Sequence, residues 1–435
     1  MRKLLILSLI TLLVYSCKEK SDPTAFYLPA EWEEQEAVWM GWDGNWETGD
    51  TLHLIFRNIV QALHRHVPVE VWVSNDSLHQ VMKEVLSGND LDSSRIHIHQ
   101  IPGRSLFWAR DVAPIFVVND KGERIAIDFQ HTGYFRYKRI SERLGFDSLT
   151  QIKLRASDML MMRSDSLMAG FKNEKIHTSE LYLEGGAIDS NGKGSALISK
   201  PFILRNKPEN ITDEDYLKNF EKELAEVLGI VNIIWLDKGL AEDDEFPTFY
   251  GKYMVGGTGG HVDEFARFIN PNTVMLNWVN ETEALANPIA AENHERMKIN
   301  LHILEKARDQ DGNKLNIVKA PMPGLFLRDF VVDSMRLPSA SALNFFQQQG
   351  YTQGDTIPRV LTSTYLNFFI SNKLVLFPSY IADGGNSANE EQFRLLLKSY
   401  FPEHRIIPIH SSYLNFNGGG IHCITRQLPA RPSIK

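Results

Sequence analysis

Near its C-terminus the chain reads Asn417-Gly418-Gly419-Gly420-Ile421-His422-Cys423, and Cys423 is one of only 2 cysteines in 435 residues. A thiol set behind three glycines can be approached closely by a reactant, which suits a nucleophile. Three other segments crowd glycine, acids or histidine together: Trp108-Ala109-Arg110-Asp111-Val112-Ala113-Pro114, Glu184-Gly185-Gly186-Ala187-Ile188-Asp189 and Gly259-Gly260-His261-Val262-Asp263-Glu264. Asp111 and Glu184 are 73 residues apart, Glu184 and His261 are 77 apart, and His261 and Cys423 are 162 apart, about twice 81. A functional element recurring at that period predicts modules around a common centre, each giving one loop or strand end to a shared site.

Taken singly, each segment has a plainer explanation. The glycine pairs can be turns, Asp111 beside Arg110 can be a surface ion pair of little consequence, and a buried Cys is usually a small hydrophobe. His261 and Asp263, two apart on an extended chain, point to one face of a joint site or of a solvated strand. Taken together the four favour a site. Acyl transfer would develop an oxyanion that the crowded carboxylates oppose. Zinc on His261, Asp263, His422 and Cys423 suits the residue types, but adjacent residues on a strand face opposite sides. A planar cation removes both difficulties, because carboxylates pair bidentately with a guanidinium and hold its carbon before the thiolate.

Short β-rich runs must position these segments. Val69 to Val73, Arg124 to Phe129, Ser195 to Ser199, Thr273 to Val279, Lys373 to Phe377 and Arg405 to Ile409 read as strands. Amphipathic helices fall between them: Leu52 to His66, Ala388 to Tyr400, and a helix after the capping-box-like Thr212-Asp213-Glu214-Asp215, with Leu217, Phe220, Leu224, Val227 and Leu228 on one face up to Gly229. Strands alternating with helices indicate an α/β protein.

Composition excludes little except a nucleic-acid partner: 43% of residues are hydrophobic, 23% are charged and the net charge is −8. Residues 1–16 read as an export signal, with Arg2-Lys3 before an apolar run from Leu4 to Tyr15 that is too short to span a bilayer. Val14-Tyr15-Ser16-Cys17 resembles a bacterial lipoprotein signal, in which Cys17 becomes the lipidated first residue. The expected protein is exported and membrane-anchored, periplasmic or at the cell surface, with residues 17–25 as a lipidated tether and 26–435 as a single α/β domain. A homo-oligomer is compatible with the sequence.

The chain resembles the agmatine deiminase and bacterial peptidylarginine deiminase family. The residues that carry the resemblance are Pro29-Ala30-Glu31-Trp32 with Trp39, Trp108 to Pro114, Glu184-Gly185-Gly186, Gly260-His261-Val262-Asp263, Tyr365-Leu366-Asn367-Phe368, and Gly418 to Gln427, in order along nearly the whole mature chain. The resemblance implies an α/β propeller of the pentein type, five ββαβ modules about a pseudo-fivefold axis with the site in the central channel. It implies that Cys423 attacks the guanidinium carbon, that Asp111 and Asp263 clamp its nitrogens, and that His261 protonates departing ammonia and then activates water. Glu184 would orient and charge-stabilise His261, while Trp108, Asn367, Gly419 and Gly420 join the substrate-binding set. The bound cation and charged His261 would lower the thiol pKa, so neither a metal nor an organic cofactor is expected.

The far end of the substrate separates agmatine, which ends in an ammonium, from free arginine or a peptide's C-terminal arginine, which ends in a carboxylate. Tyr134-Phe135-Arg136-Tyr137-Lys138-Arg139 is either a solvated loop or, through Arg136 and Lys138, a carboxylate pocket. The chain departs from the family pattern at Asp43, where Pro is usual, in a longer lead-in from Asp243 to Gly259, and in a long segment from Pro323 to Pro358 that reads as a substrate-gating loop. These departures fit a protein-sized substrate. The alternatives to a hydrolytic deiminase of arginine or agmatine are an amidinotransferase on the same fold and a non-catalytic guanidino-binding lipoprotein.

Overall fold

The computed structural model describes residues 24–43, 49–103, 106–131, 133, 140–333, 337 and 340–433. The expected leader 1–16, Cys17, Arg136 and Lys138 lie outside them.

Strands β1 (Gln35–Trp42), β2 (Val69–Val73) and β3 (Ile96–Gln100) run parallel to one another. Strand β4 (Ile115–Val118) pairs antiparallel with β5 (Arg124–Gln130), which runs parallel to β6 (Lys175–Tyr182). The same antiparallel-then-parallel step recurs in β7 (Ile188–Ser190), β8 (Ser195–Ser199) and β9 (Asn232–Leu236). After the short β10 (Thr248–Tyr250) and β11 (Tyr253–Val255), it recurs in β12 (Ala266–Asn270), β13 (Thr273–Trp278) and β14 (Asn316–Pro321). Strands β15 (Leu327–Val331) and β16 (Thr356–Val360) precede its last occurrence, in β17 (Phe369–Ser371), β18 (Leu374–Ser379) and β19 (Arg405–His410). Finally β20 (Thr425–Pro429) returns to β1 and pairs antiparallel with it, so the first sheet follows the same order. Five of the six sheets among the described residues thus share one pairing pattern.

Each parallel step needs a crossover, and helices supply it. Gly49–Leu63, Asp213–Leu228, Pro288–Lys306 and Ser387–Tyr400 join the parallel strands of four sheets. The helix over Asp213–Leu228 starts where the Thr212 hydroxyl oxygen accepts from the Asp215 amide at 3.1 Å, and it ends at Gly229 in the left-handed region at φ 65°. The Thr212 hydroxyl proton goes to the Asp215 carboxylate at 2.8 Å, so the expected box is closed between the side chains. Its apolar face, Phe220, Leu224 and Leu228, packs against Ile115, Ile127, Ala196 and Ile198 of two neighbouring sheets. Burying a large apolar side chain contributes about 1.5–3 kcal/mol, so these interlayer cores hold the sheets in place.

Several element boundaries move by one to three residues from the expected ones. The helix expected over Leu52 to His66 runs from Gly49 to Leu63, and residues 64–66 form a turn. Lys373 is not in a strand: at φ 56° it makes the turn between β17 and β18. The segment expected to be a gating loop is structured as well. Its β15 and β16 join β11 and β10 in the sixth sheet, and the helix Ala340–Gln348 packs between them in sequence. Residues of both long segments, 243–259 and 323–358, therefore meet in one sheet.

Candidate active site

Each segment singled out by its residues sits just before the first strand of its sheet. Asp111 lies in the short helix Ala109–Val112 before β4, Glu184 precedes the Gly185–Ala187 turn and β7, and Asp263 lies in the Val262–Glu264 turn before β12. Asn367 comes two residues before β17, and Cys423 two before β20. Each functional residue lies two to four residues ahead of its strand, which is why the spacing is roughly regular. The double interval between His261 and Cys423 contains the sheet that Asn367 leads.

The five strand starts converge. A Cβ placed on Gly186 would lie 2.6 Å from His261 Nδ1, 3.1 Å from Asp263 Oδ2 and 3.2 Å from Asp111 Oδ1. Only glycine leaves that point open, and its amide donates to Asp111 Oδ1 at 2.9 Å. Asp111 Oδ1 is 3.9 Å from His261 Nδ1, whose ring meets Phe202 edge-on at 4.9 Å. The thiol of Cys423 lies 3.6 Å from Glu264 Oε1 and 3.8 Å from Asp263 Oδ2, and Asn367 Nδ2 reaches it at 3.2 Å. Cys423 is 2% exposed and Asp263, His261 and Glu184 are fully buried, so solvent screens none of these charges well.

Beneath them lies a second layer of charge. His422 Nδ1 is 2.7 Å from Asp263 Oδ2 and its Nε2 is 2.6 Å from Glu31 Oε2. The ring donates to both carboxylates only when both nitrogens carry hydrogen. Glu31 also accepts from Arg110 at 3.2 Å and Arg267 at 3.0 Å, and Arg267 Nε donates to Asp189 at 2.5 Å. Asp243 holds the loop that presents His261: it accepts from the amides of Thr258 at 2.6 Å, Gly260 at 2.8 Å and His261 at 3.2 Å.

These surroundings set protonation. Burial pushes the Cys423 thiol well above its usual value, and Asp263, Glu264 and Asp111 push it the same way; the Gly420 amide opposes them. Burial alone would lower His261, but Asp111, Asp263, Glu184 and Asp243 outweigh it and raise the imidazole above its ordinary value. Burial would raise Asp263, yet the hydrogen bond and charge of His422, then His261, hold its carboxyl below the ordinary carboxylate value. Glu264 goes the other way, raised well above its usual value by burial, Asp263 and Asp243. Asp111 is also raised, by burial against the pull of His261. The site therefore gathers a thiol that resists ionisation, an imidazole biased toward its charged form and an excess of carboxyl groups, which suits a cationic ligand. One oxygen or sulfur from each of Asp263, Glu264 and Cys423 lies within 4.8 Å of the others, donors that a metal ion or a guanidinium would both use.

The structure brings together Cys423, His261, Asp263, Asp111, Glu184 and Asn367 as the residue types implied. The reason given for His261 and Asp263 needs correction, since they share the site through a tight turn and not through strand alternation. Nor does strand alternation part His422 from Cys423: both sit in the turn before β20 and both face Asp263. Gly419 and Gly420 make room for other side chains. A Cβ would meet the Trp108 ring at 2.6 Å on Gly419 and Asn367 Oδ1 at 2.4 Å on Gly420. Sequence reasoning missed the work of Glu31, Arg267, Asp243, Glu264 and His422. Glu31 stood in the Pro29-Ala30-Glu31-Trp32 motif and His422 beside the thiol, so both had a signal.

The family model described as Porphyromonas-type peptidyl-arginine deiminase matches residues 27–429. Agmatine deiminase of Pseudomonas aeruginosa strain LESB58 is 27% identical over 422 residues, covering 94% of this chain and 99% of that protein. Agmatine deiminase of Ectopseudomonas mendocina is 27% identical over 410 residues, covering 93% and 96%. Among solved structures, agmatine deiminase of Enterococcus faecalis superposes with a TM-score of 0.68 at 22% identity, over 93% of this chain and 96% of that one. A substrate-bound agmatine deiminase of C. jejuni gives 0.65 at 19%, over 94% and 98%. These structures share the fold: mixed α/β, built from several small sheets.

Proposed function

The chain belongs to the Porphyromonas-type peptidyl-arginine deiminase family, and on that premise we propose that it is a hydrolase acting on the C–N bond of a guanidino group, releasing ammonia and leaving the ureido product. The observation that carries this reading is the convergence of a thiol, an imidazole and carboxylates from separate strand starts on one buried point beside Gly186. Relatives named agmatine deiminases support the same chemistry. We also read the five like sheets as modules about a pseudo-fivefold axis, because their shared pairing order puts every functional segment at an equivalent position.

Asp111 and Asp263 hold the guanidinium, whose positive charge offsets the carboxylate field on Cys423 and lowers its pKa, so that the thiol proton is released to solvent as substrate binds. The thiolate then attacks the guanidinium carbon, forming a C–S bond. Charged His261 gives its proton to the departing nitrogen, the C–N bond breaks and ammonia leaves. The neutral imidazole takes a proton from water, the resulting hydroxide adds to the same carbon, and cleavage of the C–S bond frees the ureido product. Glu184 and Asp243 keep His261 charged and placed.

The test is ammonia release and ureido product formation by the purified protein on agmatine, free arginine, and peptides with internal or C-terminal arginine. Turnover of at least one is expected, and Cys423→Ala is expected to abolish it while leaving binding largely intact, since the carboxylate clamp survives. Full activity in Cys423→Ala would end the covalent route. Amidine found on an added acceptor amine, with no ammonia, would make the protein an amidinotransferase.

A further inference from the structure

The charged floor beneath the site leaves one cation over. With both ring nitrogens of His422 carrying hydrogen, Arg110, Arg267 and His422 donate to three carboxylates, Glu31, Asp189 and Asp263. That set is balanced without Arg426. Arg426, on β20, is only 4% exposed, and among the described residues it forms no ion pair. Of its three nitrogens only Nε has an acceptor among those residues, the Pro114 carbonyl at 3.0 Å. Arg110 by contrast uses all three, donating to the His422 carbonyl, to Gln427 Oε1 and to Glu31. A guanidinium carries five N–H groups, and burying a charge without a counterion is costly.

A cavity of about 30 Å³ lies against this guanidinium, lined also by Glu31, Arg110, Gly185, Asp189 and His422. The space exists because residue 185 is glycine: a Cβ there would lie 2.7 Å from Arg426 Nη1 and would run into the Arg110 carbonyl. The cavity takes a group the size of one or two waters, which is too little for a phosphate or an organic anion. Its carboxylates already have their donors. Glu31 Oε1 accepts from Arg267 and from the Ile370 amide at 2.7 Å, and its Oε2 accepts from Arg110 and His422. Asp189 Oδ2 accepts from Arg267 and its Oδ1 from the Phe268 amide at 2.7 Å. The lining group still short of a partner is a cation, so what complements the cavity is negative and small. Burial and the nearness of Arg110 bring the Arg426 pKa down to about 9, against the pull of Asp111 and Glu31, which reflects the same imbalance.

We propose that the cavity beside Arg426 binds a small monovalent inorganic anion of the halide class, which completes the charge balance of the floor beneath Asp263 and Cys423. Arg426 stands three residues after Cys423, and Arg110 immediately before Asp111. The anion would therefore brace the turn that carries the sulfur and the short helix that carries one arm of the clamp. The proposal does not depend on the deiminase reading, since its tests read binding and stability and not turnover.

Chloride-free protein is prepared in sodium gluconate, whose anion is too large for the cavity. Thermal unfolding is then followed as gluconate is replaced by chloride or bromide at constant ionic strength. The midpoint should rise and saturate, by about 2–5 °C, the size expected when a ligand well above its dissociation constant binds only the folded state. Arg426→Gln should lose that rise while unfolding in gluconate no lower than the wild type, because it removes an uncompensated buried charge. Wild-type crystals grown with bromide locate the ion without any variant, and they decide alone if Arg426→Gln fails to fold. An anomalous difference peak is expected in the cavity, within hydrogen-bond reach of the Arg426 guanidinium. Water alone at that point, halide-independent unfolding of the wild type, or a rise that survives in Arg426→Gln would overturn the proposal.

Discussion

In the proposed mechanism Cys423 is the nucleophile, and it is placed where a thiol is hard to ionise. Its neighbours Asp263 and Glu264 stand 3.8 Å and 3.6 Å away, and burial removes the water that would soften their field. The arrangement makes sense if the cation that must be attacked also releases the thiolate, so that the sulfur is reactive only when substrate is present. The thiol's folded value is raised, so in the empty protein the thiolate should form only at a pH above the ordinary cysteine value of about 8.5. Thiolate absorbance, taken as the difference between the wild type and Cys423→Ala across a pH series, would measure this. Asp263→Asn removes a negative charge and should shift the transition toward lower pH, while also weakening binding and turnover by removing half of the clamp. An unchanged transition in Asp263→Asn would mean that burial alone holds the proton. Cys423, His261 and Asp263 were readable from the sequence because their types and order are unusual. Glu264 was not, because an acid next to an acid looks like a solvated run until the turn over Val262–Glu264 aims it at the sulfur.

At the level of elements, the charged floor ties five separate segments together. Glu31 from the N-terminal motif, Arg110 from the helix before β4, Arg267 on β12, Asp189 on β7 and His422 from the last turn meet without solvent. No local pattern announces such a network, since each partner is distant in sequence and the pairings exist only once the sheets have assembled. Strands and crossover helices were legible by contrast, because a two-residue or 3.6-residue period is written within one segment. The joining of β10–β11 to β15–β16 was not, because residues about a hundred positions apart carry no shared period. Glu31→Gln should expose what the floor contributes. It leaves Arg110, Arg267 and His422 without their common carboxylate, and breaking a buried ion pair from one side costs about 3–5 kcal/mol. Burial would raise Glu31, but His422, Arg267 and Arg110 hold its carboxyl far below the ordinary range. A depressed value means that the stabilisation is complete above the unfolded carboxylate pKa, about 4.3, and is lost as pH falls toward the folded value. Urea unfolding at neutral pH should therefore show the full deficit, and the gap between Glu31→Gln and the wild type should narrow in acid. A gap that is small at neutral pH, or that widens in acid, would mean that Glu31 is a replaceable spacer.

The whole molecule closes on itself, and the closure positions the chemistry. Strand β20 is the last strand among the described residues, yet it pairs with β1, the first among them, from Gln35 opposite Pro429 to Met40 opposite Thr425. Leu428 packs with Trp39 and Trp72 in one apolar cluster, so the seam is sealed by core as well as by ladder hydrogen bonds. Cys423 stands immediately before that strand. Any fraying of β20 would move the sulfur away from Asp263 and from the Asn367 amide that touches it, and a misplacement of about 1 Å is enough to cost catalysis heavily. Chain ends ordinarily fray with little free-energy cost. Here the site cannot tolerate it, so β20 should open only when the protein unfolds as a whole. Native-state hydrogen exchange tests this directly: amides of Thr425–Leu428 should be protected as strongly as those of Val38–Met40 across the seam, and both should lose protection with the same denaturant dependence as global unfolding. If the β20 amides instead exchanged through a local opening that left β1 protected, the seam would be a latch that opens in the native state, and Cys423 would need substrate, not the fold, to bring it into place.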